Sequence, residues 1–221
     1  MRRLLFTALL CTSFFASSEE TISRWMSDYF KRIHDHIGNE NYEKAEYELE
    51  MGNNNYFRGG RTYEAALLYQ LYGQFYAVQS QYTEAVPWFE KALATDKMPR
   101  IGAQEVRFQL AQTYFMIGKY ENVISLLEEF IRVGERYKYP VSARANLLMS
   151  YSHGRLEQYE PSYYHIKQAN NKSDKPQIDW IEYAFSLAMK LENLDDAEDL
   201  GTRLLFLEPN KKKYWNQVSA L

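Results

Sequence analysis

The chain contains almost no cysteine and no hydrophobic run long enough to cross a membrane. Its one cysteine, Cys11, lies within the first eighteen of its 221 residues, so no disulfide is available to the rest of the chain. The main apolar stretch, residues 4–16, is shorter than the roughly 20 residues that a transmembrane helix needs. We therefore predict a chain that has no membrane span and does not depend on oxidation.

Positive charge is scarce relative to negative charge. The chain has 26 basic and 29 acidic residues. Without residues 1–18, which include Arg2 and Arg3 but no acid, 24 basic residues stand against 29 acidic ones, a net charge of −5. A mildly acidic chain without a basic stripe is a poor candidate for binding phosphate backbones. We predict no nucleic-acid partner.

The motifs that carry catalytic or metal chemistry are also missing. The sequence contains no Gly-rich phosphate loop, no nucleophile elbow and no H-E-x-x-H motif. His34 and His36 are two residues apart, about 200° around a helix, so they cannot share one metal ion. His153 and His165 have no carboxylate at a convincing spacing. We predict that the protein is not an enzyme and holds no metal and no cofactor.

The first eighteen residues have the pattern of a secretory signal peptide. Arg2 and Arg3 precede the short apolar segment 4–16, and the small residues Ala16-Ser17-Ser18 follow it as a cleavage site. Leu10, not a small residue, precedes Cys11, which argues against a lipoprotein. We predict export and removal of residues 1–18.

A short pattern of small and aromatic residues returns five times along the chain. In its clearest copy, Gly73 in one helix and Ala85 in the next would let two helices cross closely, while aromatics such as Tyr72 and Phe89 fill the space around the crossing. The small positions of the second helices are residues 45, 85, 123, 162 and 197, which lie 40, 38, 39 and 35 residues apart. A period in this range predicts stacked helical hairpins, none of which can bury its apolar face alone.

The pattern predicts an all-α fold. Residues 19–60 are predicted to form an N-terminal hairpin or cap, and residues 61–210 are predicted to form four repeats. Residues 211–221 are predicted to begin the first helix of a further hairpin. Residues 52–60 are predicted to be a loop.

Two explanations of the last segment, residues 211–221, stay open: truncation of a longer protein, which we favour, or a half-repeat that folds back as a lid. The predicted helix pairs are 21–37 with 41–51, 63–79 with 81–94, 100–117 with 120–134, 140–154 with 158–170, and 177–191 with 194–208.

The repeated small and aromatic residues, such as Tyr72, Gly73, Ala85 and Phe89, resemble the tetratricopeptide repeat. The resemblance implies a right-handed superhelical α-α solenoid that acts as a protein-binding scaffold. The chain departs from the repeat consensus at Phe185, which occupies a small position, and in its periods, which exceed the usual length of about 34. Residues 105–114 and 205–218 are also similar to the periplasmic repeat proteins encoded beside TonB, ExbB and ExbD. That similarity implies a periplasmic location and a partner from such a complex.

The repeat register predicts a groove lined by the first helix of each hairpin. Amide side chains would bond the backbone of an extended peptide, and Phe108, Phe115 and Tyr151 would receive its apolar side chains. Packing of Phe108 and Phe115 against a neighbouring helix is an equally open alternative. The predicted lining is Gln70, Gln74, Glu105, Phe108, Gln112, Phe115, Arg144, Tyr151 and Glu182, together with Leu147, Asp179 and Ser186.

Two functions remain open at this point. The first is a periplasmic adaptor that binds a protein or peptide segment in the groove, within a TonB–ExbB–ExbD-type system for energised outer-membrane transport. The second is a structural factor of envelope assembly, in pilus, secretion or cell-wall machinery, which would associate with itself through the apolar end at Trp215.

Overall fold

The computed structural model describes residues 22–56, 62–175 and 177–219. Within these ranges the chain forms eleven α-helices and no strand. The predicted signal peptide, residues 1–18, and Leu221 lie outside the described residues. The helices are α1 Arg24–Gly38, α2 Tyr42–Met51, α3 Tyr63–Val78, α4 Tyr82–Ala94, α5 Arg100–Met116, α6 Tyr120–Tyr137, α7 Ala143–Arg155, α8 Tyr159–Asn171, α9 Ile178–Lys190, α10 Leu194–Leu207 and α11 Lys212–Val218.

The chain divides after Lys119 into two compact units. Unit 1 contains the hairpins α1–α2 and α3–α4 followed by α5, and unit 2 contains α6 followed by the hairpins α7–α8 and α9–α10 and by α11. Consecutive helices pack on each other within each unit. The predicted fold class, an all-α solenoid of helical hairpins, is confirmed.

Two predicted boundaries are wrong for local reasons. The helix predicted from residue 140 begins at Ala143, because the Ser142 side chain accepts a hydrogen bond from the backbone N–H of Ala145 at 3.2 Å and so caps the helix. The predicted loop 52–60 begins with a π-helical turn, Gly52–Tyr56, that continues α2. A Cβ atom at Gly52 would lie 2.8 Å from the Tyr29 hydroxyl and 3.0 Å from Leu68 Cδ1, so a larger residue here would force these side chains to shift.

The same tight turn follows the helices α1, α3, α5, α7 and α9. A residue with positive φ follows the helix, and two backbone bonds close the turn; in α3 they run from Ser80 N to Ala77 O at 3.0 Å and from Gln81 N to Tyr76 O at 2.9 Å. This is the Schellman arrangement, in which glycine is the preferred residue. Here only one of the five positions is glycine. The five residues are Glu40, Ser80, Gly118, Glu157 and Glu192.

The crossings inside the hairpins use residues of complementary size. In unit 1, a Cβ atom added at Gly73 would lie 2.6 Å from the Phe89 ring, which is fully buried. In unit 2 the sizes are exchanged: Phe185 is the large residue, on α9, and Gly201 faces it from α10 with its Cβ position 3.2 Å from the Phe185 ring. The departure at Phe185 is therefore accommodated by a glycine on the opposite helix.

Helix α11 packs on the preceding hairpin of unit 2. Tyr214 is 1% exposed, and its hydroxyl donates to the Glu182 carboxylate at 2.8 Å. Val218 closes over Gly201, whose Cβ position lies 2.5 Å from the Val218 Cγ2 atom. One side chain of the predicted groove, Glu182, is therefore engaged by α11.

Candidate functional site: the first-helix faces of the two units

Helix α5 carries the most continuous candidate surface in unit 1. Pro99 precedes the helix in an extended conformation, and its carbonyl accepts the first helical bond from Ala103 N at 2.9 Å. From there a stripe runs along one face at spacings of four and three residues, so its members lie one above another. We call it the α5 stripe; its residues are Ile101, Glu105, Phe108, Gln112 and Phe115.

The α5 stripe combines accessible apolar side chains with one carboxyl group. Ile101 is 45% exposed, and Phe108 and Phe115 are half-buried. Burial raises the pKa of Glu105 above its ordinary value, because the surrounding protein disfavours the charged form. A ligand that brings a hydrogen-bond donor or a positive charge to such a carboxyl group would stabilise it.

Amide side chains form a buried layer on α3 and α5. Gln70 is 3% exposed and Gln74 is 5% exposed. Gln70 Nε2 donates to Gln109 Oε1 at 3.1 Å, which joins the two helices directly, and Arg107 Nη1 donates to Gln104 Oε1 at 3.0 Å. A peptide backbone would have to displace the Gln70–Gln109 bond to use the Gln70 amide. The other buried amides of α5 are Gln104, Gln109 and Gln112.

In unit 2 the corresponding faces belong to α7 and α9. Arg144 is exposed, and Tyr151 is half-buried against Tyr183, with ring centroids 5.0 Å apart at 61°. The Tyr183 hydroxyl lies 3.0 Å from the Ser162 hydroxyl, so the pair is anchored to α8. Burial raises the pKa of Tyr151, and the residue therefore acts as a neutral aromatic surface.

The carboxylate of Glu182 is satisfied within unit 2. Lys213 Nζ donates to it at 3.0 Å, and the Tyr214 hydroxyl at 2.8 Å. Burial alone would raise the pKa of Glu182, but these two donors outweigh it, and the pKa is lowered. Among the remaining predicted lining residues, Leu147 is buried, whereas Asp179 and Ser186 are exposed.

A shallow groove along α4 was not predicted. Its volume is about 450 Å³, and Trp88 is its one aromatic lining residue. The indole stacks on Tyr72 with centroids 4.0 Å apart and planes 8° apart, and the Lys91 ammonium lies 4.6 Å from the indole centroid. The lining is Pro87, Trp88, Glu90, Lys91 and Ala94.

Sequence reasoning also missed Ile101. The residue lies one helical turn before Glu105, and the same spacing that selected Glu105, Phe108 and Gln112 extends back to it. The binding role of all nine predicted site residues stays a prediction.

The part of the chain that the structure describes has neither a metal-binding cluster nor a membrane-spanning helix. In residues 22–56, 62–175 and 177–219, no group of three or more His, Cys, Asp or Glu side chains is arranged to hold a metal ion. As for the membrane, none of the helices that the structure describes combines the length and the apolar character that spanning one requires.

Solved structures share this fold. One is a MamA RS-1 double mutant, which matches with a TM-score of 0.67 and 17% identity over 86% of this chain and 98% of that chain. MamA 41-end from Desulfovibrio magneticus RS-1 matches with a TM-score of 0.65 and 18% identity over 86% and 99%. YrrB, described as "a TPR protein with an unusual peptide-binding site", matches with a TM-score of 0.66 and 15% identity over 85% and 89%.

No family model and no curated protein matches the chain. At 15–18% identity the likeness to solved structures establishes the fold alone. That fold is the one of tetratricopeptide-repeat proteins, as the resemblance of the repeated residues implied.

Proposed function

We propose that this protein is a non-enzymatic scaffold that binds a segment of a partner protein along the α5 stripe of unit 1. The observation that carries the proposal is the row of accessible apolar side chains on α5, in which Ile101 is 45% exposed and Phe108 and Phe115 are half-buried. YrrB, which shares the fold, is described as having a peptide-binding site. Stacked helical repeats commonly bind protein segments on such a face.

The buried amides favour a helical ligand over an extended one. An extended peptide binds mainly through its backbone and needs free donors and acceptors, whereas the Gln70 and Gln109 amides are already bonded to each other. An amphipathic helix instead satisfies its own backbone and contributes apolar side chains every three or four residues. That spacing matches the α5 stripe. A Lys, Arg or amide side chain of the ligand would meet Glu105, whose burial disfavours an unpaired charge.

We further propose that the scaffold acts in the periplasm, within a TonB–ExbB–ExbD-type system. Support for the location comes from the signal-peptide pattern of residues 1–18, and support for the system comes from the resemblance of residues 105–114 and 205–218 to that family. Cell fractionation tests the first part: recovery of the full-length, uncleaved chain in the cytoplasm would contradict it. Titration of the purified chain with the periplasmic domains of TonB and ExbD tests the second.

Site-specific photocrosslinking tests the α5 stripe in cells. A photoreactive phenylalanine analogue replaces Ile101, which is exposed enough to tolerate it, and a matched control replaces Tyr164 on α8, which is 59% exposed. We expect a discrete protein adduct from position 101 that is lost when Phe108→Ala and Phe115→Ala are added, with helicity unchanged. Equal adducts from both positions, or an adduct that survives the double substitution, would contradict the proposal.

Self-association is the second candidate function, and two exposed aromatics of unit 2 favour it. Phe206 on α10 is 85% exposed and Trp215 on α11 is 56% exposed, although Trp215 Nε1 donates to the Pro209 carbonyl at 2.8 Å. Contact through these residues would suit a structural factor of envelope assembly. Light scattering tests this function. If the chain is monomeric at high concentration and its mass is the same in the Phe206→Ser variant, self-association is ruled out.

A further inference from the structure

Two histidine rings lie face to face inside unit 2, and the proposed partner contact does not use them. His153 of α7 and His165 of α8 are parallel to within 5°, with ring centroids 5.6 Å apart. His153 is 9% exposed and His165 is half-buried. Tyr164 meets His165 edge-on, with centroids 5.0 Å apart. The stack therefore lies across the contact between the two helices of one hairpin.

Amide side chains fix the orientation of both rings. Asn146 Nδ2 donates to the Ser142 carbonyl at 3.4 Å, which turns Asn146 Oδ1 towards His165 Nδ1 at 3.3 Å. His153 Nδ1 lies 2.7 Å from Gln158 Oε1. Because an amide oxygen only accepts, the hydrogen of each neutral ring is on Nδ1. Each Nε2 atom is then the position at which a further proton would bind.

The surroundings of His165 disfavour a positive charge. Burial, the neighbouring His153 ring and Lys172 at the end of α8, in that order, lower the pKa of His165 from 6.5 to about 4. The helices packed against this hairpin are α6 and α9, and no carboxylate from either of them, or from α7 or α8, offsets these effects. A proton on this stack would thus be left without a compensating partner.

We propose that the His153–His165 stack is an acid-sensitive lock on the α7–α8 hairpin. With both rings neutral, the rings pack and the hairpin is closed. Protonation places charge in a half-buried position beside a second imidazole, so the two rings separate and the hairpin loosens. Mild acid would in this way weaken unit 2 at one defined place, independently of what the α5 stripe binds.

The direction and size of the effect follow from proton linkage. The folded state binds the His165 proton more weakly than the unfolded chain, whose histidine pKa is 6.5. The stability that the neutral stack contributes is therefore complete above pH 6.5 and is lost as the pH falls towards 4. Between pH 7.5 and pH 5 this one group raises the opening equilibrium constant by up to about 30-fold.

Hydrogen exchange followed by mass spectrometry tests the lock on the full chain in EDTA. After correction for the intrinsic exchange rate, we expect the protection of the α7–α8 amides to fall by about 10- to 30-fold between pH 7.5 and pH 5. His165→Phe keeps an aromatic ring without a titrating group and should remove most of that dependence. His36→Phe, on α1 of unit 1, is the matched control and should leave the dependence intact.

An NMR titration of the wild-type His165 ring keeps the proposal testable even if His165→Phe folds poorly. A midpoint well below 6.5 supports the lock. A midpoint at or above 6.5 overturns it, and so does an unchanged pH dependence of α7–α8 protection in His165→Phe.

Discussion

The crossing of α3 and α4 provides the sharpest test of the packing in unit 1. The perturbation is Gly73→Ala, a single added methyl group. Its Cβ would lie 2.6 Å from both the Cδ1 and Cε1 atoms of Phe89, whereas carbon atoms pack at about 3.5 Å or more. Phe89 is fully buried, so its ring must retreat by about 1 Å into neighbours that are themselves packed.

The expected magnitude has two parts of opposite sign. Overpacking of a well-filled core costs about 1–3 kcal/mol, while alanine forms helix better than glycine by up to about 1 kcal/mol. Gly102→Ala isolates the second part, because nothing lies within 4 Å of the Cβ position at Gly102 on α5. We therefore expect Gly73→Ala to be less stable than Gly102→Ala by about 1–3 kcal/mol in urea unfolding followed by circular dichroism.

A double-mutant cycle identifies the cause. Phe89→Leu alone should destabilise the protein by about 1 kcal/mol because it leaves space beside Gly73. Combined with Gly73→Ala it should cost less than the two single effects together, with a coupling of about 1 kcal/mol. Equal stabilities of Gly73→Ala and Gly102→Ala, or strictly additive effects in the cycle, would refute the reasoning that the ring of Phe89 fills the space that Gly73 leaves.

Two further predictions concern unit 2. Glu192 has a φ of 57° in a Schellman turn, a conformation that costs an L-residue about 1 kcal/mol. Glu192→Gly should therefore stabilise the protein by about 0.5–1 kcal/mol in the same urea assay. A lower unfolding midpoint would contradict this. Tyr214→Ala removes a side chain that is 1% exposed and donates to Glu182. The substitution should lower the free energy of unfolding by about 3–5 kcal/mol and expose the amides of α11 to hydrogen exchange. Protection of the α11 amides equal to that of the wild type would show that Tyr214 does not hold this helix.

The helical fold was predictable because its determinants are local. The small residue of each second helix could be identified from spacing alone, and all five of these residues are fully buried in the structure. The turns between paired helices recur at the same spacing. Each of these features recurs once in every repeat, so the sequence pattern reports them directly. The missed boundary at Ala143 depends on a cap at Ser142 that the prediction overlooked.

The surroundings of the candidate site residues were less predictable, because contacts between repeats determine them. Gln70 was predicted to face a ligand, yet its amide bonds to Gln109, 39 residues later. Glu182 was predicted likewise, and its carboxylate bonds to Tyr214, 32 residues later. A register taken from one repeat indicates which direction a side chain faces. It does not indicate whether the next first helix brings a polar group to meet that side chain.

The two glycine–phenylalanine pairs show why single-position rules misjudge such a fold. Judged alone, Phe185 violates the small-residue pattern, because a large residue there would force α9 and α10 apart. The pair Phe185 with Gly201 nevertheless places one ring and one glycine at the crossing, as Gly73 with Phe89 does in unit 1, with the ring on the opposite helix. What the crossing requires is a total side-chain volume, since close packing depends on the space filled and not on which helix fills it. The repeat should therefore be defined by pairs of facing positions, and under that definition the hairpin α9–α10 is regular.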